Sequence, residues 1–188
     1  MNEDKVAAYF NERVAELEPD IQRGTPWVFV SLAGLVNAVA VRLYTEPSPP
    51  SLPFEEFFNA YVDSSRSTVS TGYGKFRYEA GTQDLTRQMY WHLVWGLPNN
   101  FSFVPDAFSH AHGARERSIT LAHRVSAGGI THLDPHEKHD APVLIAEDFY
   151  ADVKASIGWF FEDMKNHHVV REKFMRGVEN LMPLGVVG

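Results

Sequence analysis

The 188 residues contain no cysteine and carry a formal net charge of −7, with 17 Lys and Arg against 24 Asp and Glu. Disulfides, thiolate metal ligands and cysteine nucleophiles are therefore excluded, and broad attraction to nucleic acid or to an anionic membrane is disfavoured. Hydrophobic residues at 44% and aromatics at 13% supply a core without staples, and the length fits one domain over 1–188. The polar start Met1-Asn2-Glu3-Asp4-Lys5, with the lack of cysteine, sets the expectation of a cytoplasmic protein with no membrane and no DNA partner.

Val6, Phe10, Val14, Leu17 and Ile21 recur at spacings of three and four, which predicts a first helix with Glu12 and Glu16 facing water. Pro19 limits its regular part to about Leu17, and Gly24 ends the segment. Thr25-Pro26 reads as a cap and first turn. The helix that follows, to about Tyr44, is apolar nearly all round and belongs at the centre of a bundle. Its apolar core, Trp27 to Val41, is short for a membrane span.

After a connection rich in proline, a helix begins at Ser51 and carries Phe54, Phe57, Phe58 and Tyr61. Residues 64–74, rich in Ser, Thr and Gly, read as a loop. A helix is predicted from Thr82 to Trp95, stopped by Gly96-Leu97-Pro98, and Asn99 to Arg117 as irregular chain. Ile119 to Arg124 alternates apolar and polar residues, Ser126 to Gly129 is turn-like, and Ile130 to Leu133 reads as a returning strand. This places a hairpin insertion around 118–134.

Ile145, Phe149, Val153, Ile157, Phe160 and Met164 form the longest amphipathic stripe, with a break expected at His167-His168. A last helix carries Val170, Phe174, Val178 and Leu181. The expected fold is mostly α, a bundle of five or six helices with a small β-hairpin.

Two enzyme signatures fail on spacing. Ser70 to Lys75 has Val69 where a phosphate-binding loop needs its first Gly, and His136-Glu137-Lys138-His139 has one residue too few for a metalloprotease helix. Six of the nine histidines nevertheless fall between 110 and 139. His110 and His112 would share one side of an extended backbone, and His123 and His132 would approach each other across the hairpin. Such a cluster, with a divalent metal, is the basis for a hydrolase reading. Solvated or individually hydrogen-bonded loop histidines are the plainer alternative. Arg115, Arg117 and Arg124 add a local positive patch that can meet phosphate or carboxylate, or pair with the chain's own acids. The candidate binding residues are thus His110, His112, Arg115, Arg117, His123 and His132. Aromatic residues between Tyr90 and Phe108 line either a pocket, an interface or a core edge.

The segment Arg87-Gln88-Met89-Tyr90-Trp91-His92 has Arg, a polar residue, variable residues and then His. With the helical layout, it resembles the HEPN superfamily of compact helical bundles. The resemblance implies metal-free ribonuclease chemistry, with His92 as acid and base and Arg87 stabilising phosphorane-like charge. A second register, Val94-Trp95-Gly96-Leu97-Pro98-Asn99, matches the family's Gly-Leu centre. It has Val94 for Arg and Asn99 for His, and implies a relative without an active site. The leading expectation is a non-catalytic HEPN-like interaction or RNA-associated accessory protein. It would act as a homodimer with a protein or RNA partner, holding no metal and no cofactor. A metal-dependent hydrolase and a metal-free ribonuclease are the alternatives.

Overall fold

A computed structural model describes residues 3–44, 51–63, 73, 86, 89–90, 93–94, 120–133, 135–136 and 141–181. The fold is mostly α with a small β element. Helix α1 spans Glu3–Ala15 and α2 Glu18–Gln22. Pro19 stands in the first turn of α2, where its missing N–H costs nothing. This is why the first apolar stripe divides where it does.

Helix α3 runs Trp27–Val39 and continues as a π-helical turn, Ala40–Tyr44. Thr25 does not cap it; the Thr25 hydroxyl donates instead to the Asp20 carbonyl at 3.3 Å, closing the end of α2. Trp27–Tyr44 is long and apolar enough to cross a membrane by length and composition. Here it packs as a core helix, burying Val28, Phe29, Leu32, Ala33, Val36, Val39, Ala40 and Leu43. It is less central than an all-apolar sequence implies, because Ser31, Gly34 and Val41 stay exposed.

Helix α4 spans Ser51–Phe57 and also passes into a π turn, Phe58–Val62. The expected face, Phe54, Phe57, Phe58 and Tyr61, is buried. Of the helix expected over 82–95, the described residues Thr86, Met89, Tyr90 and Leu93 are buried at helical spacing. Helix α5, Ala146–Asn166, and helix α6, His168–Leu181, flank His167. That residue is extended, with φ −119° and ψ 113°, and makes the expected break.

The rings of Tyr44, Phe57, Tyr61 and Phe160 are in mutual contact, with centroids 5.0 to 6.2 Å apart. They join both π turns to α5. Helix α6 closes on the first π turn at Gly177, where an added Cβ would run into the Arg42 carbonyl backbone. Gly177→Ala is expected to force the helix and the turn apart. It should lower stability by about 1–3 kcal/mol, despite the better helix propensity of alanine. A shift in the urea midpoint at unchanged slope would show it.

The sheet corrects the expected hairpin. Strand β1, Thr120–Ala122, lies within the predicted strand. Its partner is β3, Ala141–Ile145, in parallel, with Leu121 opposite Leu144 and Ala122 opposite Ile145. The order is β1-β3-β2, and β2, Pro135–His136, pairs antiparallel with Pro142 and Ala141. Residues 130–133 form no strand; His132 and Leu133 stand in a turn. Gly128 and Gly129 both have positive φ, and the Ile130 N–H folds back to the Ala127 carbonyl. The place beside β1 goes to the run Val143-Leu144-Ile145, each at most 1% exposed, as a central strand covered on both faces requires.

Candidate functional site

Three members of the histidine cluster are described; His136 lies in β2, and His123 and His132 part company. His132 reaches the core, and His123 is half-buried on the β1 side of β3. Helix α5 supplies the first partner. Along its buried stripe Phe149, Val153, Ile157 and Phe160, the polar residues Asp152 and Ser156 are also buried, Asp152 at 2% exposure. The Ser156 hydroxyl is satisfied within the helix by the Val153 carbonyl at 2.8 Å. Asp152 looks outward from the helix to Tyr73, whose hydroxyl donates to Oδ2 at 2.9 Å. Tyr73 is fully buried, edge-on to Phe58, and its own backbone N–H donates to the Asp63 carboxylate at 3.1 Å.

His132 completes the network. The Ile145 N–H donates to its Nδ1 at 2.9 Å, so Nδ1 carries no proton and the ring proton sits on Nε2. Nε2–H then donates to the Tyr73 hydroxyl at 3.0 Å. Every bond in the chain points one way: Ile145 N–H to His132, His132 to Tyr73, Tyr73 to Asp152. Burial, with the Arg124 guanidinium adding to it, pushes the His132 ring down to about 4 from 6.5. Asp152 Oδ2, 3.8 Å from Nε2, favours the charged ring. Desolvation and the Arg124 charge outweigh it, and His132 is a neutral imidazole at physiological pH.

His123 directly follows β1 and packs edge-on against Phe29, with the ring also under Gly24. Its Nδ1 lies 4.0 Å from Glu147 Oε1, and neither ring nitrogen has a hydrogen-bond partner. Arg124 is tied to the first turn of α5. Its backbone N–H donates to Glu147 Oε2 at 2.9 Å and its guanidinium pairs with Asp148. Of the two readings of the arginine patch, Arg124 follows the internal one.

The two imidazoles do not form a joint site. No group of three or more His, Asp or Glu among the described residues is arranged to hold a metal. His110, His112, Arg115 and Arg117 lie outside the described residues, as do Arg87 and His92. Sequence reasoning missed Asp152 and Tyr73. An acid three residues after Phe149 on an apolar stripe is a legible signal of a buried carboxylate that needs a partner. Tyr73, within a stretch rich in Ser and Gly, offers no periodicity to find it by.

Chemically, the arrangement is a buried relay of three side chains. Both His132 nitrogens are engaged, one by the Ile145 N–H and one by Tyr73, and Tyr73 has no exposed surface. Such a network fixes positions; it joins the β2–β3 side of the sheet, the Tyr73 segment and α5 into one unit. Comparison with protein-family models, with curated proteins and with solved structures returns no match.

Proposed function

We propose that this chain is a non-catalytic HEPN-like protein that acts through contacts with a second copy of itself and with a protein or RNA partner. The observation that carries the reading is the internal use of His132. This candidate metal ligand gives both ring nitrogens to Ile145 and Tyr73, at 4% side-chain exposure. A metal ligand needs a free nitrogen lone pair, and a general acid or base must reach substrate. His132 offers neither. Arg124, held by Glu147 and Asp148, is likewise occupied.

The test is incubation of the purified chain with labelled single-stranded RNA, with chelator and with added manganese or zinc, alongside sedimentation. The expected result is a dimer, intact RNA under every condition, and no stoichiometric metal. RNA cleavage that survives chelator and is lost in His92→Ala would overturn the reading in favour of a metal-free ribonuclease. Bound metal and hydrolysis, both lost in His110→Ala, would overturn it in favour of a metal-dependent hydrolase.

A further inference from the structure

The hydrogen-bond ladder on the β2 side of β3 is completed by a side chain. Pro135 and His136 pair with Pro142 and Ala141, and the Leu133 N–H donates to the Val143 carbonyl at 2.7 Å. The next donor along this edge, the Ile145 N–H, goes to His132 Nδ1. In a regular ladder a backbone carbonyl would stand there. Leu133 instead turns the chain with a φ of 65°, and the imidazole takes the carbonyl's place. Leucine is uncommon in that left-handed region, and burial of its side chain at 5% exposure holds it there.

A carbonyl does not titrate near neutral pH, whereas an imidazole does. We propose that His132 is an acid-sensitive joint: a proton on Nδ1 turns the acceptor into a donor, two N–H groups then face each other at the β3–α5 junction, and the 132–133 turn parts from Ile145. The ring must swing to relieve that opposition, and Nε2 leaves the Tyr73 hydroxyl with it. Among the described residues, the charged groups facing the ring are Asp152 from α5 and Arg124 from the turn after β1. Asp152 draws the proton in, and Arg124 repels it. Glu147 and Asp148 face Arg124 and soften that repulsion. Tyr73, the remaining polar neighbour, is neutral.

The sign follows from the lowered ring. The open form takes up protons from pH 6.5 downward and the closed form only near 4. Closure is therefore complete above 6.5, is lost as pH falls toward 4, and changes no further below that. Between pH 7 and pH 5 the opening equilibrium should rise about 20-fold.

Hydrogen exchange of the Ile145 amide, read against the Val153 amide in the middle of α5, tests this in the full chain. The ratio removes the intrinsic pH dependence of exchange. The expected result is a fall of about 20-fold in the protection of Ile145 relative to Val153 from pH 7 to pH 5. His132→Asn keeps an acceptor oxygen at the Nδ1 position but cannot titrate, and in it the ratio should stay flat. A parallel loss at both amides in the wild type, or an unchanged fall in His132→Asn, would overturn the joint. Should that variant not fold, the ring nitrogen resonances of His132 in the wild type decide. A proton on Nδ1 at pH 7 sinks the proposal; a bare Nδ1 that gains its proton as Ile145 loses protection supports it.

Discussion

Phe160→Ala is expected to lower the stability of the chain by about 3–5 kcal/mol, the range for removing a fully buried aromatic ring. Phe160 has no exposed surface and touches Tyr44, Phe57, Tyr61, Phe161 and Phe174, with centroids between 5.2 and 6.3 Å. These five rings belong to α4, the two π turns, α5 and α6. Deletion therefore opens a void that no single element can close by moving, because each neighbour is anchored in a different part of the fold. Edge-on ring pairs add to the burial term, at about 0.5–1.5 kcal/mol each. For a chain of this size the loss corresponds to a fall of about 10 °C in the thermal midpoint. The control is Val125→Ala, on a turn at 97% exposure, where a change within about 0.5 kcal/mol is expected. A Phe160→Ala loss below about 1.5 kcal/mol would mean that the aromatic cluster does not hold the helices together.

That cluster was largely legible in the sequence. The stripe from Phe149 to Met164 has one period throughout, and only one face of a helix can present it. The phenylalanines 54, 57 and 58 with Tyr61 follow the same rule. His167-His168 marks a real break because a bundle must turn there for α6 to reach Tyr44, over whose ring Lys173 sits at 4.9 Å. What the period cannot show is the widening of α3 and α4 into π turns at their ends. These leave the helical stripe intact and alter only which carbonyl lies where; Arg42 against Gly177 is the consequence.

The sheet was legible only in part, for a physical reason. Alternation of apolar and polar residues identifies a strand with one wet face, and 119–124 has it. A central strand has no wet face, so Val143-Leu144-Ile145 carries no alternation and merges with the helix that follows at Ala146. Pairing in parallel also joins segments about 20 residues apart, which no local turn signal encodes. The candidate site inherits this limit. His132 was singled out from its neighbourhood in sequence, but its partners lie 59 and 13 residues away at Tyr73 and Ile145. Only the folded sheet shows that its ring replaces a backbone carbonyl, and is therefore spent.

Tyr73→Phe should have the second large effect, because one oxygen serves two partners. The ring volume hardly changes, so the cavity contribution is small. The lost oxygen leaves the His132 Nε2–H without an acceptor and takes a donor from the Asp152 carboxylate. A hydrogen bond to a charged group contributes about 1.5–3 kcal/mol, and a buried donor left unpaired costs about 1–3 kcal/mol. A loss of about 3 kcal/mol follows at pH 7. The effect should depend on Asp152. In an Asp152→Asn background the acceptor is neutral, and Tyr73→Phe should cost about 1–2 kcal/mol less. The double-mutant cycle, measured by urea unfolding, isolates that coupling. A coupling near zero would show that the Tyr73 hydroxyl does not bridge His132 and Asp152 in solution, and the unit that joins the sheet to α5 would then have to be held by packing around Phe58 and Phe149 alone.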